Sequence, residues 1–600
     1  MSYAAPIKEI EFALRHIVGL NQRNTEVMSG GADDNTIVSI LEGAARFSAA
    51  VLAPLNRVGD QVGARFADGV VQMPPGFIDA YRSWSKAGWN TVNLPLEWGG
   101  MGLPTTVAVA TMEMWTSACM SFGLGPVLAQ SAVDAMVLHA SEQLKAVYLP
   151  RLVSGEWTAA MNLTESQAGS DLNAISTRAE RNGDGTYRIF GQKIFISYGE
   201  HDLTENIIHL VLARLPDAPP GTKGISLFLV PKILIAADGS LGSRNDVRCI
   251  GIEQKMGIHA SPTCSMMFGE SGGAIGWIIG EENRGLACMF TMMNKARLFT
   301  GLQGVAIAER AYQQALAYAK TRRQGRATRQ RERDAGMNLI IEHPDVRRNL
   351  LTMKALVAAG RAVAYSTAQA IDVTQTGETA EVRARADDLA GLLTPITKAM
   401  CSEIGVEVAS LGIQVHGGMG YIEEAGAAQY FRDSRIAPIY EGTNGIQAID
   451  LVMRKVLGMG NSAATDAVNR FREVGLSATA IAEKAFGNLG PIVTEAAGEL
   501  ARATLWLKDN VRHSDELLSV ATPYLRLFGM TAGAAFLAKG ALAAWRQLAN
   551  GNNDAVYHDA IVVARFYAEN IAVAASSMAH VVTGSADGLH RKVGLSDFAE

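Results

Sequence analysis

Apolar residues recur at three-to-four spacing from about residue 36 to 155, as in Ile40, Leu41, Ala44, Phe47 and Val51, so this stretch is expected to be helical. The sequences PPG and EWGGMGLP punctuate it as turns. From about 157 to 270 the pattern shortens to the β-rich runs TYRIFGQKIFIS, IIHLVLARL, GISLFLVP and CSMMF, each bounded by Gly, Asp or Pro. Long helical patterns return from Asn283 to about Leu457, with Leu389, Leu392, Ile396, Met400, Ile404 and Val408 sharing one face. The remainder is also helical in pattern, broken at GNLGP (487–491) and NGNN (550–553). The expected fold class is α+β, mostly α. It divides into an N-terminal segment 1–35, an N-terminal helical domain 36–156, a middle β-domain 157–280, a helical bundle 281–460 and a helical C-terminal extension 461–600.

Composition narrows the class. A chain of 600 residues with 48% hydrophobic and 19% charged residues is long enough for several packed units and too apolar for disorder. The net charge of −5, and 12 basic against 14 acidic residues in the extension, give no electrostatic footprint for nucleic acid. The five cysteines, Cys119, Cys249, Cys264, Cys288 and Cys401, form no C-x-x-C pair. That spacing speaks against zinc, an iron–sulfur cluster or a disulfide framework, and for a reducing, cytoplasmic setting. Charges interrupt the opening MSYAAPIKEIEF where a signal peptide needs an apolar run. The apolar stretch Met530 to Leu548 contains Lys539 and Arg546 and is expected to be a buried helix, too interrupted to span a bilayer. No metal site and no stable membrane insertion are expected.

The segment richest in chemistry is Ala437-Pro-Ile-Tyr-Glu-Gly-Thr-Asn-Gly-Ile-Gln447, which places a carboxylate, Glu441, on a Pro-initiated turn before a helix carrying Ile446, Ile449, Val452 and Val456. Gly442 and Gly445 let backbone approach a ligand, and the N–H groups at a helix start suit a carbonyl oxygen. An isolated E-G-T-N-G reads more readily as a capping carboxylate on a surface turn. Its context reverses that preference.

Y-E-G-T followed two residues later by I-Q resembles the signature of the acyl-CoA dehydrogenase family. So do Asn162-Leu-Thr-Glu-Ser-Gln-Ala-Gly-Ser-Asp171, Gly191-Gln-Lys-Ile-Phe-Ile-Ser197, Glu253-Gln-Lys-Met-Gly257, Ala317-Tyr-Ala-Lys-Thr-Arg-Arg-Gln-Gly325 and Gln414-Val-His-Gly-Gly-Met-Gly-Tyr421, in the family's order over roughly residues 36 to 457. The resemblance implies that family's fold and FAD as cofactor. It implies that Leu163 and Thr164 meet the flavin's pyrimidine edge and that Phe195 stacks on the ring where the family usually has Trp. Ser197 stands for the usual Thr, and Ser170 lies where flavin and pantetheine meet. Arg322, Gln324, Gln414, Gly417 and Gly418 would serve the FAD of a neighbouring subunit, which implies a homodimer or dimer of dimers. Thr443 and Gly445 would border the cofactor.

For an acyl-CoA substrate, the resemblance implies Asn294 and Arg297 at the CoA, and Tyr440 and Gly442 at the thioester. Glu441 would be the base that removes the α-proton, its N–H polarising the thioester carbonyl. Some family members carry the base near positions 294 to 297, but Asn-Lys-Ala-Arg offers no carboxylate here. Electrons would pass to an electron-transfer flavoprotein. The length, R-R-Q-G-R and E-G-T-N-G-I-Q are similar to an extended bacterial subgroup acting on 3-(methylthio)propanoyl-CoA; a general medium- or long-chain dehydrogenase stays open beside it. Departures are Ser166-Gln167 for the usual Pro-Gly, no Phe after Gln324, and Gly445 for a frequent Gln.

Two rival classes remain. An acyl-CoA oxidase would share the flavin site, and a flavin-bearing DNA-binding relative would need a basic C-terminal face that the near-neutral extension does not supply. Other motifs carry less. Gly269-Glu-Ser-Gly-Gly273 fits G-x-S-x-G, yet lies between β-like runs and reads as a hairpin turn. The arginine-rich run Thr321 to Asp334 reads as a solvated loop, and His416 as a structural histidine among glycines. No dinucleotide fingerprint, P-loop or H-E-x-x-H is present.

Overall fold

The computed structural model describes residues 3–20, 34–327, 336–458 and 462–584. They form two compact units, one built from Met1–Ile7, Asn21–Gln313 and Gly417–Ile436, the other from Lys8–Leu20, Gln314–His416 and Ala437–Glu600.

In the first unit, helices α2 (Asp34–Phe47), α3 (Ala53–Val62), α4 (Phe77–Lys86), α5 (Thr105–Ala118), α6 (Met120–His139) and α7 (Glu142–Ser154) precede the sheet. Helices α5 and α6 are apolar nearly all round and accordingly buried, with Trp115 packed edge-on against Trp84 and Trp89. Ser141 caps α7, its hydroxyl accepting from the Leu144 N–H, and Gly155 ends that helix at φ 78°.

Two short pairs stand apart from the main sheet, β1 (Arg65–Ala67) with β2 (Val70–Gln72) and β8 (Ile233–Ile235) with β9 (Leu241–Arg244). The main sheet has the order β10-β11-β5-β12-β7-β6-β3, with β4 pairing β5 and β6. Its members are β3 (Thr158–Asn162), β4 (Arg178–Arg181), β5 (Tyr187–Ser197), β6 (Ile207–Arg214), β7 (Ile225–Pro231), β10 (Val247–Ile252), β11 (Thr263–Phe268) and β12 (Ala274–Ile279). Strands β6 and β7 are mostly apolar and covered on both faces, with His209 and Ser226 buried among the apolar residues. Strand β5 is longer and pairs with β12 at Tyr187–Ile189 and with β11 from Gly191 to Ser197.

The turn at 269–273 corrects an expectation. It joins β11 to β12, and each of these pairs with β5 instead of with the other, so it is a connecting loop and not a hairpin turn. The element directly after Ser271 is strand β12 and not a helix, which removes the hydrolase reading of G-x-S-x-G.

The second unit is helical. Helix α1 (Ile7–Phe12), continued by a π-helical turn to Val18, occupies the segment 1–35, to which the periodicity assigns no element; Ile10, Leu14 and Ile17 are buried. Helix α8 (Gly285–Ala319) runs on from the first unit. Helices α9 (Pro344–Thr376) and α10 (Ala380–His416) are long neighbours, followed by α12 (Asn444–Ile449), whereas α11 (Ala427–Ser434) belongs to the first unit. The extension supplies α13 (Ala463–Thr479), α14 (Leu489–Asp509), α15 (Ser514–Ala549), α16 (Ala555–Asn570) and α17 (Ala575–Thr583).

Helix α15 packs on α9, α10 and α12. Gly529 and Gly533, one turn apart, make this approach possible: a Cβ at Gly529 would lie 3.0 Å from the Met400 sulfur, and one at Gly533 3.2 Å from the Ala359 Cβ. The extension is therefore part of the same unit as Glu441. Among the described residues, helix α15 is one of three helices long and apolar enough, by length and composition, to cross a membrane, so Lys539 and Arg546 do not interrupt it as expected; 78% of its most apolar stretch is buried inside the protein.

Asp433, on α11, is buried and accepts from the Ile258 N–H, while its neighbour Arg432 forms a two-toothed pair with Asp60. Burial pushes the Asp433 carboxyl up to about 6, with Asp60 adding to the rise. The folded chain thus holds this proton more tightly than the unfolded one, so Asp433 contributes stability at low pH that is lost as pH rises through about 6. Asp433→Asn is expected to gain apparent melting temperature relative to wild type between pH 4.5 and 7. A difference that does not change with pH in a calorimetric series would contradict the assignment.

Candidate active site

Each unit holds its own set of candidate residues. In the second, Tyr440, Glu441 and Gly442 lie on the turn before α12, all partly buried. Glu441 adopts φ 56° and Gly442 φ 84°. Glycine tolerates that conformation, but a glutamate there costs about 1–2 kcal/mol, so the surrounding structure must hold it.

It does so through three residues. Thr443 caps α12, its hydroxyl accepting from the Ile446 N–H at 3.2 Å. The fully buried Gln447 donates its amide to the carbonyls of Glu441 and Gly442, both at 3.3 Å. Asn444 ties the turn down: its side-chain oxygen accepts from Lys398 at 3.0 Å, its amide donates to the Ala399 carbonyl at 3.2 Å, and its backbone N–H bonds the Pro438 carbonyl. Gly445 needs no glycine conformation, and an added Cβ would meet only the Thr443 hydroxyl at 3.8 Å, which leaves open space beside the helix start.

Arg322 and Gln324 are exposed and follow α8. Their backbone is laced to residues 337–340 by Gln324 N–H to the Asn338 carbonyl and Ile340 N–H to the Arg322 carbonyl. The solvated-loop reading holds for 321–326, and residues 328–334 of the arginine-rich run lie outside the described residues. Gln414 is exposed near the end of α10. His416 is buried, stacked on Tyr318 at 4.4 Å and bonded to the Gly412 carbonyl, and burial lowers its pKa; this is a structural histidine.

In the first unit, β5 and the loop after β3 bring Leu163, Thr164 and Phe195 together. Opposite β11, the register slips between Cys264 and Met266, which face Ile196 and Lys193. Two residues of β5 thus stand against one, a β-bulge, and Phe195 sits in it at φ 59°. The bulge breaks the alternation and turns the ring outward, 58% exposed. The Ile194 N–H bonds the Thr164 carbonyl at 2.9 Å, fixing the loop beside that ring. Neither the Leu163 nor the Thr164 N–H has an acceptor among the described residues.

Ser170 lies exposed farther along the same loop, and Ser197 is half-buried opposite Thr263. Gly417, at φ 60°, and Gly418 have nothing within 4 Å of an added Cβ. On α8, Asn294 is exposed and Arg297 buried, its guanidinium 5.8 Å from the Phe290 ring. Between them Lys295 pairs with Asp134 at 2.7 Å, which fastens this face of α8 to α6.

These features fit FAD. An outward aromatic, two uncommitted backbone donors and bare glycine backbone suit the ring, its pyrimidine edge and a pyrophosphate. Among the described residues no group of three or more His, Cys, Asp or Glu is placed to hold a metal ion, and all five cysteines are buried thiols.

Sequence reasoning missed two sets of residues. Gln447 and Asn444 were within the quoted motif, yet their role depends on reaching back to carbonyls that sequence does not place. Glu165 and Lys193 form a buried pair at 2.8 Å; the available signal was a lysine at an inward position of β5, two residues from Gly191 and four from Ile189.

Family models match nearly the whole chain: acyl-CoA dehydrogenase N-terminal domain over residues 38–156, middle domain over 160–270 and C-terminal domain over 283–457, then an acetyl-CoA dehydrogenase C-terminal-like domain over 468–591. A 3-methylmercaptopropionyl-CoA dehydrogenase of Ruegeria pomeroyi is 44% identical, covering 98% of this chain and 99% of that protein. A broad-specificity linear acyl-CoA dehydrogenase of Mycobacterium tuberculosis is 32% identical, covering 97% of each. Among solved structures, an acyl-CoA dehydrogenase of Bacillus anthracis complexed with FAD has the same fold, with a TM-score of 0.70 at 19% identity over 98% of this chain and 95% of that one.

Proposed function

Because the chain belongs to the acyl-CoA dehydrogenase family, we propose that it oxidises 3-(methylthio)propanoyl-CoA to its 2-enoyl thioester with Glu441 as base. It is an FAD-dependent oxidoreductase acting on acyl-CoA thioesters. The observation that carries the proposed mechanism is Glu441 in a left-handed backbone conformation, on a turn held by Gln447, Thr443 and Asn444.

Glu441 removes the α-proton of the thioester. Its backbone N–H polarises the carbonyl, so that charge developing on the oxygen meets a fixed dipole. Bound FAD supplies the acceptor for the hydride that leaves the β-carbon. Leu163 and Thr164 donate to the ring's pyrimidine edge, Phe195 stacks on it, and Ser197 and Ser170 border it. Thr443 keeps its O–H able to donate toward the cofactor while its oxygen caps α12. Asn294 and Arg297 hold the CoA, and Tyr440 and Gly442 border the thioester. Arg322, Gln324, Gln414, Gly417 and Gly418 serve the cofactor of a second copy, so the active species is a homodimer or dimer of dimers. An electron-transfer flavoprotein in the cytoplasm is the acceptor.

The full-length relative from Ruegeria pomeroyi supports the methylthio substrate, and the full-length relative from Mycobacterium tuberculosis supports linear chains as the second reading. Ranking kcat/KM over 3-(methylthio)propanoyl-, butanoyl-, octanoyl- and palmitoyl-CoA, with electron-transfer flavoprotein as acceptor, separates them. The methylthio substrate is expected first; a preference for octanoyl- or palmitoyl-CoA would overturn it. Peroxide formed at the full turnover rate without that acceptor would identify an oxidase.

Phe195→Ala is expected to weaken FAD retention about tenfold, the scale of one lost stacking contact. Fluorescence titration of the apoprotein measures it, and unchanged retention would remove Phe195 from the flavin site.

A further inference from the structure

Behind the Leu163–Thr164 peptide lies an ion pair that the mechanism does not use. Lys193 is fully buried and donates to the Glu165 carboxylate at 2.8 Å and to the Leu163 carbonyl at 3.0 Å. Glu165, 3% exposed, also accepts from the backbone N–H and hydroxyl of Ser176, both at 2.7 Å. The N–H and hydroxyl of Thr177 reach it at 3.0 and 2.6 Å, and the Gln167 amide at 2.7 Å. Burial alone would raise the Glu165 pKa, but Lys193 and these donors hold it down at about 2; burial lowers the Lys193 pKa to about 8 in spite of its partner.

A buried pair of this kind gives little net stability over an apolar replacement, because desolvation offsets the attraction. Its geometry points to another use. The Leu163 carbonyl and the Thr164 N–H belong to one peptide group, so an ammonium on the oxygen draws electron density from the amide and makes its N–H a stronger donor. That N–H has no acceptor among the described residues. The next carbonyl, that of Thr164, is held by the Ile194 N–H, beside the bulge that turns Phe195 outward.

We propose that Lys193 and Glu165 are positioning residues of the flavin site, which orient and polarise the Leu163–Thr164 peptide as a donor to the ring and thereby raise the flavin's reduction potential. This rests on the reading of Leu163 and Thr164 as pyrimidine-edge contacts. Donors at that edge favour the more electron-rich, reduced ring.

The test is the double variant Lys193→Met with Glu165→Gln, which removes both charges at nearly constant volume. Purified holoenzyme is equilibrated with a reference dye of known potential, and FAD affinity is titrated on the apoprotein. The expected result is at least a tenfold fall in the reduced-to-oxidised flavin ratio at fixed dye potential, about 30 mV for a two-electron couple, with FAD affinity lowered as well. A melting temperature that shifts while the potential stays at the wild-type value would overturn the proposal and leave a purely structural pair.

Phe195→Ala, run alongside, separates the two levels. If it weakens FAD binding while the double variant changes neither affinity nor potential, the proposal fails and the flavin site stands. If neither variant affects FAD, the reading of the flavin site fails with it. Should the double variant not accumulate, Lys193→Gln carries the same readout, because it replaces the ammonium with a neutral side chain; a wild-type potential there also overturns the proposal.

Discussion

Glu441→Gln is expected to lower turnover by about a thousandfold or more while FAD stays bound, a typical scale for losing a positioned base. The substitution keeps shape and removes only basicity. Glu441 lies on a turn whose contacts use its carbonyl, which Gln447 holds, so the amide leaves that scaffold in place. Flavin absorbance and melting temperature should match wild type, and the loss should fall on kcat. On α8 the sequence Asn294-Lys-Ala-Arg297 offers no carboxylate to replace it. Near-wild-type turnover would remove Glu441 from the mechanism.

Gln447→Leu should cost about a hundredfold in kcat with KM for the acyl-CoA and FAD content little changed. The side chain is buried and donates to the Glu441 and Gly442 carbonyls. Leucine fits the volume but leaves both oxygens without that donor, while Glu441 keeps its strained φ of 56° only as long as the turn is held. A carboxylate displaced by about 1 Å loses on the order of a hundredfold in rate. Steady-state kinetics separate this from unfolding: a variant with normal kcat and reduced melting temperature would make Gln447 a stability residue only.

Much of this was legible in the sequence because it is written in local periodicity. The long runs at three-to-four spacing became helices, and TYRIFGQKIFIS became β5 with Tyr187, Ile189 and Lys193 inward. What the pattern could not carry was its own interruption. The bulge that turns Phe195 outward is defined only by the register of β11, a strand some seventy residues later in the chain. The same holds for the loop at 269–273, which looked like a hairpin because its strands are adjacent in sequence; they pair with β5 instead.

Site chemistry divided along the same line. Glu441 stands out as the proposed base because E-G-T-N-G resembles a family motif, whereas nothing in the motifs around Glu165 and Lys193 marks either residue. Each looks ordinary alone, and only the fold makes them a buried pair. Helix α15 gives a third case: its composition satisfies a membrane criterion, and its burial against α9, α10 and α12 is a property of the whole bundle. The glycines at 529 and 533 were the local trace of that packing.

The most direct test of the central claim is anaerobic mixing of the purified holoenzyme with 3-(methylthio)propanoyl-CoA while the flavin's visible absorption band is followed. The account predicts rapid bleaching in the wild type, slowed about a thousandfold in Glu441→Gln. A flavin that stays oxidised with this and every other acyl-CoA would contradict dehydrogenation and favour a binding protein that merely carries the cofactor.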